Sequence, residues 1–432
     1  TNCRRVYVMS NCKRNTTFSK SGSISFQIGL SLVELMIALA LSVTLILGIF
    51  IVYTDSMRTT RVGESLARIQ ESGRIGLDII SHEVRMAGYQ GCSDSYTVPI
   101  RVVAHNPPPS LTPASGEDNV YLYNSGLRGW QVTASTQSSW DSGTDFEDLG
   151  IIEDDALPGS DVLMVQRARL LSATVRSPGM GSATGSIPID DPDGLFGASA
   201  AFSSGSLLMI ASCEFADVFR MTNNPSGANK SLEHATTANS NSSLSIAYAA
   251  DEDAEIYSLA SIVFFVADTG RVDDQGNNIT ALYRASNSFP DSATPSFQRE
   301  ELVEGVEAMK VQYGLRTDPS SNTINYVDAS GVGATDWKDV VVIRVGLLVS
   351  APGNVLQQDD SQSYELPGAL FVASNPAAGQ QEHPSDRRLR KAFVSTLDIR
   401  NRRCGEFKQL GTTGLWEWET ADENSGDGDP CN

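Results

Sequence analysis

Glu34 is the residue whose surroundings most need a chemical explanation. It directly precedes 19 residues without a charged side chain, Leu35 to Tyr53. A carboxylate at the start of an apolar span costs on the order of a few kcal/mol in a bilayer unless it is paired. A plain membrane anchor therefore leaves Glu34 unexplained. A cationic partner in the same low-dielectric surroundings would offset the cost, because each charge is expensive alone.

No set of residues has the types and spacing of an enzyme active site. The histidines are scattered along the chain, at His82, His105, His234 and His383. His82-Glu83 is not followed by the second histidine that a zinc-protease helix requires, and no Gly-x-Ser-x-Gly motif occurs. Residues 179–185, GMGSATG, have the wrong spacing for a dinucleotide-binding loop and predict a flexible turn. Without a CxxC pair, a zinc site is also disfavoured. We therefore predict a protein that is not an enzyme.

Three acidic turns offer oxygen ligands of the kind that calcium prefers. They are Asp190 to Gly194, Asp268 with Asp273 and Asp274, and Asp427 to Asp429. None completes an EF-hand loop, and calcium takes roughly six to eight oxygens. Calcium is thus the only cofactor that these residues suggest, and the favoured interpretation of each turn is a solvated acidic surface with no bound metal.

The charge of the chain is strongly acidic, with 32 Lys and Arg against 52 Asp and Glu, a net charge of −20. Such a field repels phosphate backbones, so nucleic-acid binding is not expected. One basic cluster stands out against it: Arg387, Arg388, Arg390, Lys391, Arg400, Arg402 and Arg403. An acidic partner would suit this cluster, and internal ion pairing is at least as well supported.

The N-terminal region predicts a single membrane span of defined orientation. Residues 1–29 carry five basic and no acidic side chains, whereas the remainder carries 27 basic against 52 acidic ones. As a helix, Leu35 to Tyr53 would be about 28 Å long, close to the thickness of the hydrocarbon core. The basic leader should stay in the cytoplasm and place the C-terminal part outside. A secretory signal peptide is disfavoured, since no small-x-small site follows the span.

The helix is expected to continue beyond the membrane. No proline occurs between Leu30 and Val98, and Gly63 marks the alternative of two separate helices. An apolar stripe follows at helical spacing, and Gly73 within it would let a sheet approach closely. The stripe consists of Val62, Leu66, Ile69, Gly73, Leu77, Ile80 and Val84. Charged residues off the stripe should face water, and these are Arg61, Glu64, Arg68, Glu71 and Asp78.

After Gly88, short apolar runs separated by Gly, Pro, Ser, Asn and Asp indicate antiparallel sheet. The predicted strands are Val120 to Tyr123, Val162 to Arg167, Leu170 to Val175, Leu207 to Ala211, Ser245 to Tyr248, Ile256 to Val266, Ala281 to Arg284, Ala308 to Leu315, Val340 to Val349 and Lys391 to Ile399. In the last of these, Leu397 and Ile399 should share the face of Phe393. Two polar stretches, Thr133 to Asp145 and Thr222 to Ser243, are predicted to be long mobile loops.

The start of the apolar span resembles the class III signal of type IV pilins and pseudopilins. That signal combines a glycine, a glutamate five residues later and an uninterrupted apolar helix, which here are Gly29, Glu34 and Leu35 to Tyr53. The resemblance implies that a prepilin peptidase cuts between Gly29 and Leu30 on the cytoplasmic side and N-methylates Leu30. It also implies that Glu34 pairs with the N-terminal amine of a neighbouring subunit and so sets the register of assembly.

Five further blocks look like the landmarks of PilW-type minor pilins. They are Arg85 to Cys92, Ser212 to Phe219, Val303 to Asp318, Trp337 to Ser350 and Arg387 to Arg402. In this order, behind a pilin signal, they cover nearly the whole mature chain. The resemblance implies a low-abundance subunit that joins other minor pilins and the pilus tip adhesin. Together with the inner-membrane assembly platform, such a complex primes pilus assembly, and the subunit then lies at the pilus tip.

The cysteines predict disulfide bonds in the exported part. Cys3 and Cys12 lie in the leader and should be lost on cleavage. The remaining even set, Cys92, Cys213, Cys404 and Cys431, would form two disulfides in an oxidising periplasm. Four cysteines permit three pairings. The favoured pairing joins the last two cysteines to each other and the first two to each other.

The sequence as a whole predicts an α+β protein in which a long N-terminal helix packs on a large antiparallel β-rich head. Residues 1–29 would be a cleaved leader, 30–88 the helix, with 30–53 transmembrane and 54–88 amphipathic, and 89–432 a periplasmic head. The alternative within the class is a type II secretion pseudopilin of the J kind, which the 403 residues after Gly29 disfavour. The alternative from another class is a signal-anchored periplasmic enzyme or binding protein.

Overall fold

The computed structural model of the protein describes the helix and most of the sheet-forming part of the chain. The described residues are 31–91, 100–105, 119–120, 126–132, 140–141, 155–250, 254–273, 275–288, 298–316, 323–333, 336–401, 406–410 and 415–419. By its internal contacts the chain divides into two units, Thr1–Thr59 and Thr60–Asn432. One helix, α1, runs from Leu32 to Arg85 and contributes to both. It continues through Gly63, so the alternative of two helices broken there is wrong.

Within the described residues, twelve strands form the larger of the sheets. They are β1 (Ile100–Val102), β2 (Asn119–Val120), β3 (Leu127–Val132), β4 (Trp140–Asp141), β5 (Asp161–Val175), β6 (Ile187–Asp190), β7 (Leu207–Ala211), β8 (Ala216–Arg220), β9 (Lys230–Leu232), β10 (Glu255–Val272), β11 (Asn278–Ser288) and β12 (Gln298–Glu304). The main path is β2-β1-β8-β7-β10-β5-β3-β4; β11 joins β10 to β12, and β6 joins β5 to β9. Pairing is antiparallel except between β1 and β8.

A second sheet of four strands follows in the chain, in the order β14-β13-β15-β19. Its strands are β13 (Val306–Leu315), β14 (Asn325–Val327), β15 (Val340–Asn354) and β19 (Arg388–Asp398). Short 3-10 turns occupy Ala329–Gly331 and Asp336–Asp339. The smaller elements are β16 (Tyr364–Leu366), β17 (Ala369–Val372) and β18 (Gln380–Glu382), then the hairpin of β20 (Glu406–Leu410) and β21 (Leu415–Glu419). An α+β fold with one long N-terminal helix and mostly antiparallel sheets is thus confirmed.

The largest apolar core of the second unit lies between the last turns of α1 and both large sheets. Ile69, Ile80 and Val84 supply the helix side and are at most 1% exposed. They pack with residues of the larger sheet, such as Leu163, Val165, Phe264 and Leu282, and of the four-stranded sheet, such as Val311, Ile343, Val345 and Leu347. The predicted stripe is therefore confirmed from Ile69 to Val84, whereas Leu66 is 37% exposed.

Two glycines allow α1 to approach the sheets closely. A Cβ on Gly73 would overlap the ring of Phe393 on β19, and one on Gly76 would lie 2.9 Å from Cδ1 of Leu347 on β15. The prediction that Gly73 admits a sheet is confirmed. Gly76 lies outside the predicted stripe and makes a second close approach. The five charged residues predicted to face water on this helix are all exposed.

Several predicted strands have different bounds in the structure. Leu207–Ala211 agrees with β7, while the two runs predicted over 162–175 form the single strand β5. They join because β10 pairs continuously beside them, with Leu259 opposite Ala168 and Ser258 opposite Arg169. Of the run predicted at 120–123, Val120 lies in β2 and the rest falls outside the described residues. Alternation in β19 is confirmed, since Leu397 and Ile399 are buried while Asp398 is exposed.

The strand predicted at Ser245 to Tyr248 is wrong. This segment is irregular because its polar groups bind a buried carboxylate instead of a strand: Ser245 donates from N and Oγ, and Tyr248 from its hydroxyl, to Asp217 at 2.7–2.9 Å. The loop predicted at 222–243 is also more ordered than a mobile loop. It contains β9, and Asn239, 1% exposed, donates to Arg220 O and Ala235 O. In the polar stretch at 133–145 the structure describes only β4.

Candidate functional site

The first turns of α1 present an unbroken apolar surface with one carboxylate. Glu34 lies in the first turn, and every described residue from 31 to 56 is exposed. Its apolar neighbours Leu32, Val33 and Leu35 are 51–73% exposed. Among the described residues, α1 is the one helix long and apolar enough to cross a membrane, and none of its most apolar window is buried. An exposed apolar surface of this extent is typical of a segment that contacts lipid or another protein.

The hydroxyl side chains on this segment do not interrupt its apolar character. Ser42, Thr44 and Thr54 each donate to a backbone carbonyl three residues earlier, at 2.9 Å. Such local bonds satisfy hydroxyl groups where no water is available. Glu34 differs from them, because its carboxylate accepts hydrogen bonds and carries charge. The carboxylate is therefore the one group between 32 and 53 that needs a charged partner in an apolar environment.

The structure places few of the other predicted site residues. Gly29 and Leu30 lie outside the described residues, as do the leader cysteines and Cys92, Cys404 and Cys431. Cys213 lies in the turn between β7 and β8, and its side chain is exposed. Processing between Gly29 and Leu30 and the disulfide pairing therefore stay predictions.

The basic cluster near the C-terminal end is largely paired inside the protein. Arg390 on β19 has a fully buried side chain, and it donates to Glu307 on β13 through Nε at 2.7 Å and Nη2 at 3.0 Å. Asp386 at 2.8 Å and Asp360 at 3.3 Å complete its surroundings. Burial alone would lower the pKa of Arg390, but the carboxylates of Glu307 and Asp386 raise it. Arg388 joins the same network through Asp386 at 2.7 Å.

This network confirms internal pairing for Arg388 and Arg390 rather than a free basic surface. Arg387 is different, since its side chain is 51% exposed and its nearest carboxylate, on Asp359, is 4.0 Å away. Arg402 and Arg403 lie outside the described residues. A sequence cannot reveal the pairing of Arg390 with Glu307, because 83 residues separate them.

A second buried ion pair connects α1 to the larger sheet. Glu83, 6% exposed, accepts a bond from Arg167 Nε on β5 at 2.8 Å. In the sequence, His82-Glu83 resembles only an incomplete zinc-protease motif. In the structure His82 is exposed and Glu83 is the buried partner. The periodic burial of Ile80 and Val84 on either side was the signal that could have identified Glu83 as an inward-facing residue.

In the two acidic turns that the structure describes, aspartate side chains accept hydrogen bonds from backbone N–H groups of the same turn. Asp191 accepts bonds from Leu195 N at 2.7 Å, Phe196 N at 3.0 Å and Lys230 Nζ at 2.7 Å. Burial alone would raise the pKa of Asp191, but Lys230 and these N–H groups lower it. Asp273 is likewise held by N–H groups of Gln275 and Asn277. In the described part of the chain no three His, Cys, Asp or Glu side chains are grouped as metal ligands. Asp274 and Asp427 to Asp429 lie outside it.

The four histidines are separate from one another. His234 and His383 are buried and each bonds a backbone carbonyl, Gly185 O and Gln362 O respectively, at 2.8 Å. His82 and His105 are exposed. The buried rings serve packing, as the edge-to-face contacts of His234 with Phe219 and of His383 with Tyr364 indicate.

Comparison with known protein families finds a match over part of the chain. Residues 264–401, from within β10 to just beyond β19, match the family model described as Type IV Pilus-assembly protein W. The matched segment includes the whole four-stranded sheet and the Arg390 network. No curated protein and no solved structure matches the chain. The match makes residues 264–401 similar to a type IV pilus-related family and supports involvement of this chain in type IV pilus assembly.

Proposed function

We propose that this protein is a minor pilin that takes part in the initiation of type IV pilus assembly. In this proposal a prepilin peptidase cuts between Gly29 and Leu30 and methylates Leu30. Residues 30–53 then anchor the chain in the inner membrane, with the β-rich head in the periplasm. The subunit joins other minor pilins and the tip adhesin at the inner-membrane assembly platform. It leaves the membrane as part of the pilus tip, and its role is structural rather than catalytic.

The observation that carries this proposal is the lone carboxylate of Glu34 on the exposed, apolar first part of α1, in a chain whose residues 264–401 match a pilus-assembly family model. Such a helix can be covered by lipid before assembly and by neighbouring helices afterwards. The carboxylate is costly in both environments unless a cation lies beside it. The N-terminal amine that cleavage creates on a neighbouring subunit would be such a cation, and ion pairing would then select the correct stagger between the two helices.

The proposed export of the head to the periplasm supports the expectation that its cysteines form disulfide bonds. Cys92, Cys213, Cys404 and Cys431 would meet an oxidising compartment there, which favours two bonds among them. Neither the proposed assembly role nor these bonds require a cofactor. An acidic head would repel nucleic acid, so the proposal includes no role in nucleic-acid binding.

The experiment that tests the proposal compares two carboxylate deletions on the same helix. Glu34→Ala removes the proposed assembly contact, and Glu64→Ala removes an exposed carboxylate from the head part of α1. Each variant is expressed in a strain that lacks the wild-type copy. We expect both variants to reach normal membrane levels with normal leader cleavage. Surface pili should be reduced by Glu34→Ala and unchanged by Glu64→Ala.

Normal piliation with Glu34→Ala would contradict the assembly role of Glu34. Normal piliation in the strain that lacks the protein altogether would contradict a role in pilus assembly. Low membrane levels of Glu34→Ala would also count against the proposal, because removal of a lone carboxylate should make membrane insertion no worse.

A further inference from the structure

A buried lysine and a buried aspartate meet where the larger sheet and the four-stranded sheet pack together. Lys310 on β13 is 5% exposed and Asp161 at the start of β5 is 3% exposed. Lys310 Nζ lies 2.5 Å from Asp161 Oδ1. The two residues are 149 positions apart in the sequence, so the fold alone brings them together.

The backbone holds the carboxyl group in one orientation. Asp161 Oδ2 accepts a bond from Val311 N at 2.8 Å, so one oxygen faces the amine and the other faces a fixed N–H group. Met309 and Ser160, which directly precede Lys310 and Asp161 in the sequence, are also bonded to each other, because Met309 N donates to Ser160 Oγ at 3.0 Å. An amine at this distance from a carboxylate oxygen is about 3–3.5 Å from the carboxyl carbon, which is the separation of a near-attack conformer.

Burial favours the neutral form of the Asp161 carboxyl group. Burial raises the pKa of Asp161 to about 6, against the lowering effect of Lys310 and the Val311 N–H group, and the negative charge of Asp328 raises it further. Tyr313, three residues beyond Lys310 on β13, is fully buried and packs edge-to-face on Trp337 with ring centroids 4.9 Å apart. The side chains of Lys310 and Asp161 are themselves only 7% and 3% exposed, so little water reaches the pair. Two ions held in such an interior are more costly than a neutral amide whose oxygen keeps the hydrogen bond from Val311 N.

We propose that Lys310 and Asp161 form an intramolecular amide bond between Nζ and Cγ in the folded protein. A proton first passes from the Lys310 ammonium to Asp161 Oδ1, which leaves a neutral amine and a neutral carboxylic acid. The amine lone pair attacks Cγ, and negative charge develops on Oδ2, where the Val311 N–H group stabilises it. A second proton from Nζ goes to Oδ1, the bond between Cγ and Oδ1 breaks, and one water leaves. Oδ2 remains as the amide oxygen, and no other reactant is needed.

The bond would join β13 of the four-stranded sheet to β5, a central strand of the larger sheet. Separation of the two sheets under load would then require rupture of a covalent bond. This inference does not rest on the proposed pilus function, because it follows from the geometry of the folded chain alone.

The test is mass spectrometry of the purified full chain after reduction and alkylation. In a tryptic digest, Asp161 belongs to the peptide 129–167, and cleavage after Lys310 yields 300–310 and 311–316. An amide on Lys310 prevents that cleavage. We expect one branched peptide in which 300–316 is joined to 129–167 with loss of one water. Its fragment ions should place the bond on Asp161, and the linear peptides 300–310 and 311–316 should be lost.

A matched variant assigns the change to Lys310. Lys310→Arg keeps a positive charge and donors but cannot form the amide. Its intact mass should exceed that of the wild type by the residue difference plus one water, and leader processing and cysteine modification cancel in this comparison. Recovery of linear 300–310 from folded wild-type protein, with a full intact mass, would overturn the proposal and leave an ordinary buried ion pair. The wild-type digest decides the question even where the variant does not accumulate.

Discussion

At the scale of single residues, a buried charge in the head can be held by several partners at once. Arg390 illustrates this, since its guanidinium faces carboxylates of Glu307, Asp360 and Asp386. A planar guanidinium can bind a carboxylate through two parallel bonds, which a lysine cannot do. Arg390 is buried, whereas Arg387, three positions earlier, is exposed. Substitution should therefore destabilise the protein at Arg390 and have little effect on stability at Arg387.

Arg390→Met should lower the free energy of unfolding by about 3–5 kcal/mol, because it leaves buried carboxylates without their cation. Arg387→Met is the matched control and should change it by less than about 0.5 kcal/mol, as expected for an exposed side chain. Urea unfolding of the full chain followed by tryptophan fluorescence measures both. Equal effects of the two substitutions would contradict the assignment of Arg390 as the centre of the network.

The lowered pKa of Asp191 predicts that the protein loses stability as the pH falls. Its pKa in the folded chain is lower than the ordinary value of 3.8, so the folded state binds fewer protons than the unfolded state near that pH. The stabilisation it provides is complete above the ordinary pKa and is lost as the pH falls through the lowered one. Asp191→Asn should therefore cost about 1–3 kcal/mol at neutral pH and less in acid.

The measurement is urea unfolding of wild type and variant at neutral pH and near pH 3. Asp193→Asn, an exposed position in the same turn, is the control and should have little effect at either pH. A difference between wild type and Asp191→Asn that stayed constant or grew on acidification would show that the charge of Asp191 is not what stabilises the turn.

At the scale of elements, the contact between α1 and the sheets depends on a missing side chain. Gly73→Ala places a Cβ against the ring of Phe393, whereas a Cβ on Gly63 meets nothing within 4 Å. Both changes also remove a glycine from a helix, which by itself is worth about 1 kcal/mol in favour of alanine. Overpacking should outweigh this gain at Gly73, so Gly73→Ala should destabilise the head by about 1–3 kcal/mol.

Gly63→Ala isolates the helix-propensity effect and should be neutral or slightly stabilising. Thermal unfolding of the full chain, monitored by circular dichroism, compares the two variants. A Gly73→Ala protein as stable as Gly63→Ala would mean that α1 does not pack on β19 as closely as described.

Elements with strong periodicity could be predicted from the sequence, and those held by distant polar contacts could not. The stripe from Ile69 to Val84 and strand β7 were visible as apolar patterns. The segment from Ser245 to Tyr248 has the apolar and polar pattern of a strand, yet it is irregular because it bonds to Asp217. Asp217 precedes Ser245 by 28 residues, so the local pattern does not reveal this contact. Gly76 faces the sheets without an apolar side chain to signal it.

At the scale of the whole molecule, the features that the sequence predicts are local in the chain, whereas the features found only in the structure join residues that are far apart in the sequence. The apolar helix could be predicted because its signal lies within about one membrane span of residues. The pairings of Glu83 with Arg167 and of Arg390 with Glu307 could not, since more than 80 residues separate the partners. Such contacts depend on the register of strands, which local sequence does not specify.

The central claim is that the chain is processed and assembled as a pilin, and the N-terminus of the mature protein tests it most directly. The full chain is purified from the membranes of a host that has a prepilin peptidase, and its first residue is determined by N-terminal sequencing and peptide mass. We predict that the protein begins at a methylated Leu30 and that a Gly29→Val variant keeps its leader. Wild-type protein that retains residues 1–29, or a Gly29→Val protein that matures normally, would contradict the account.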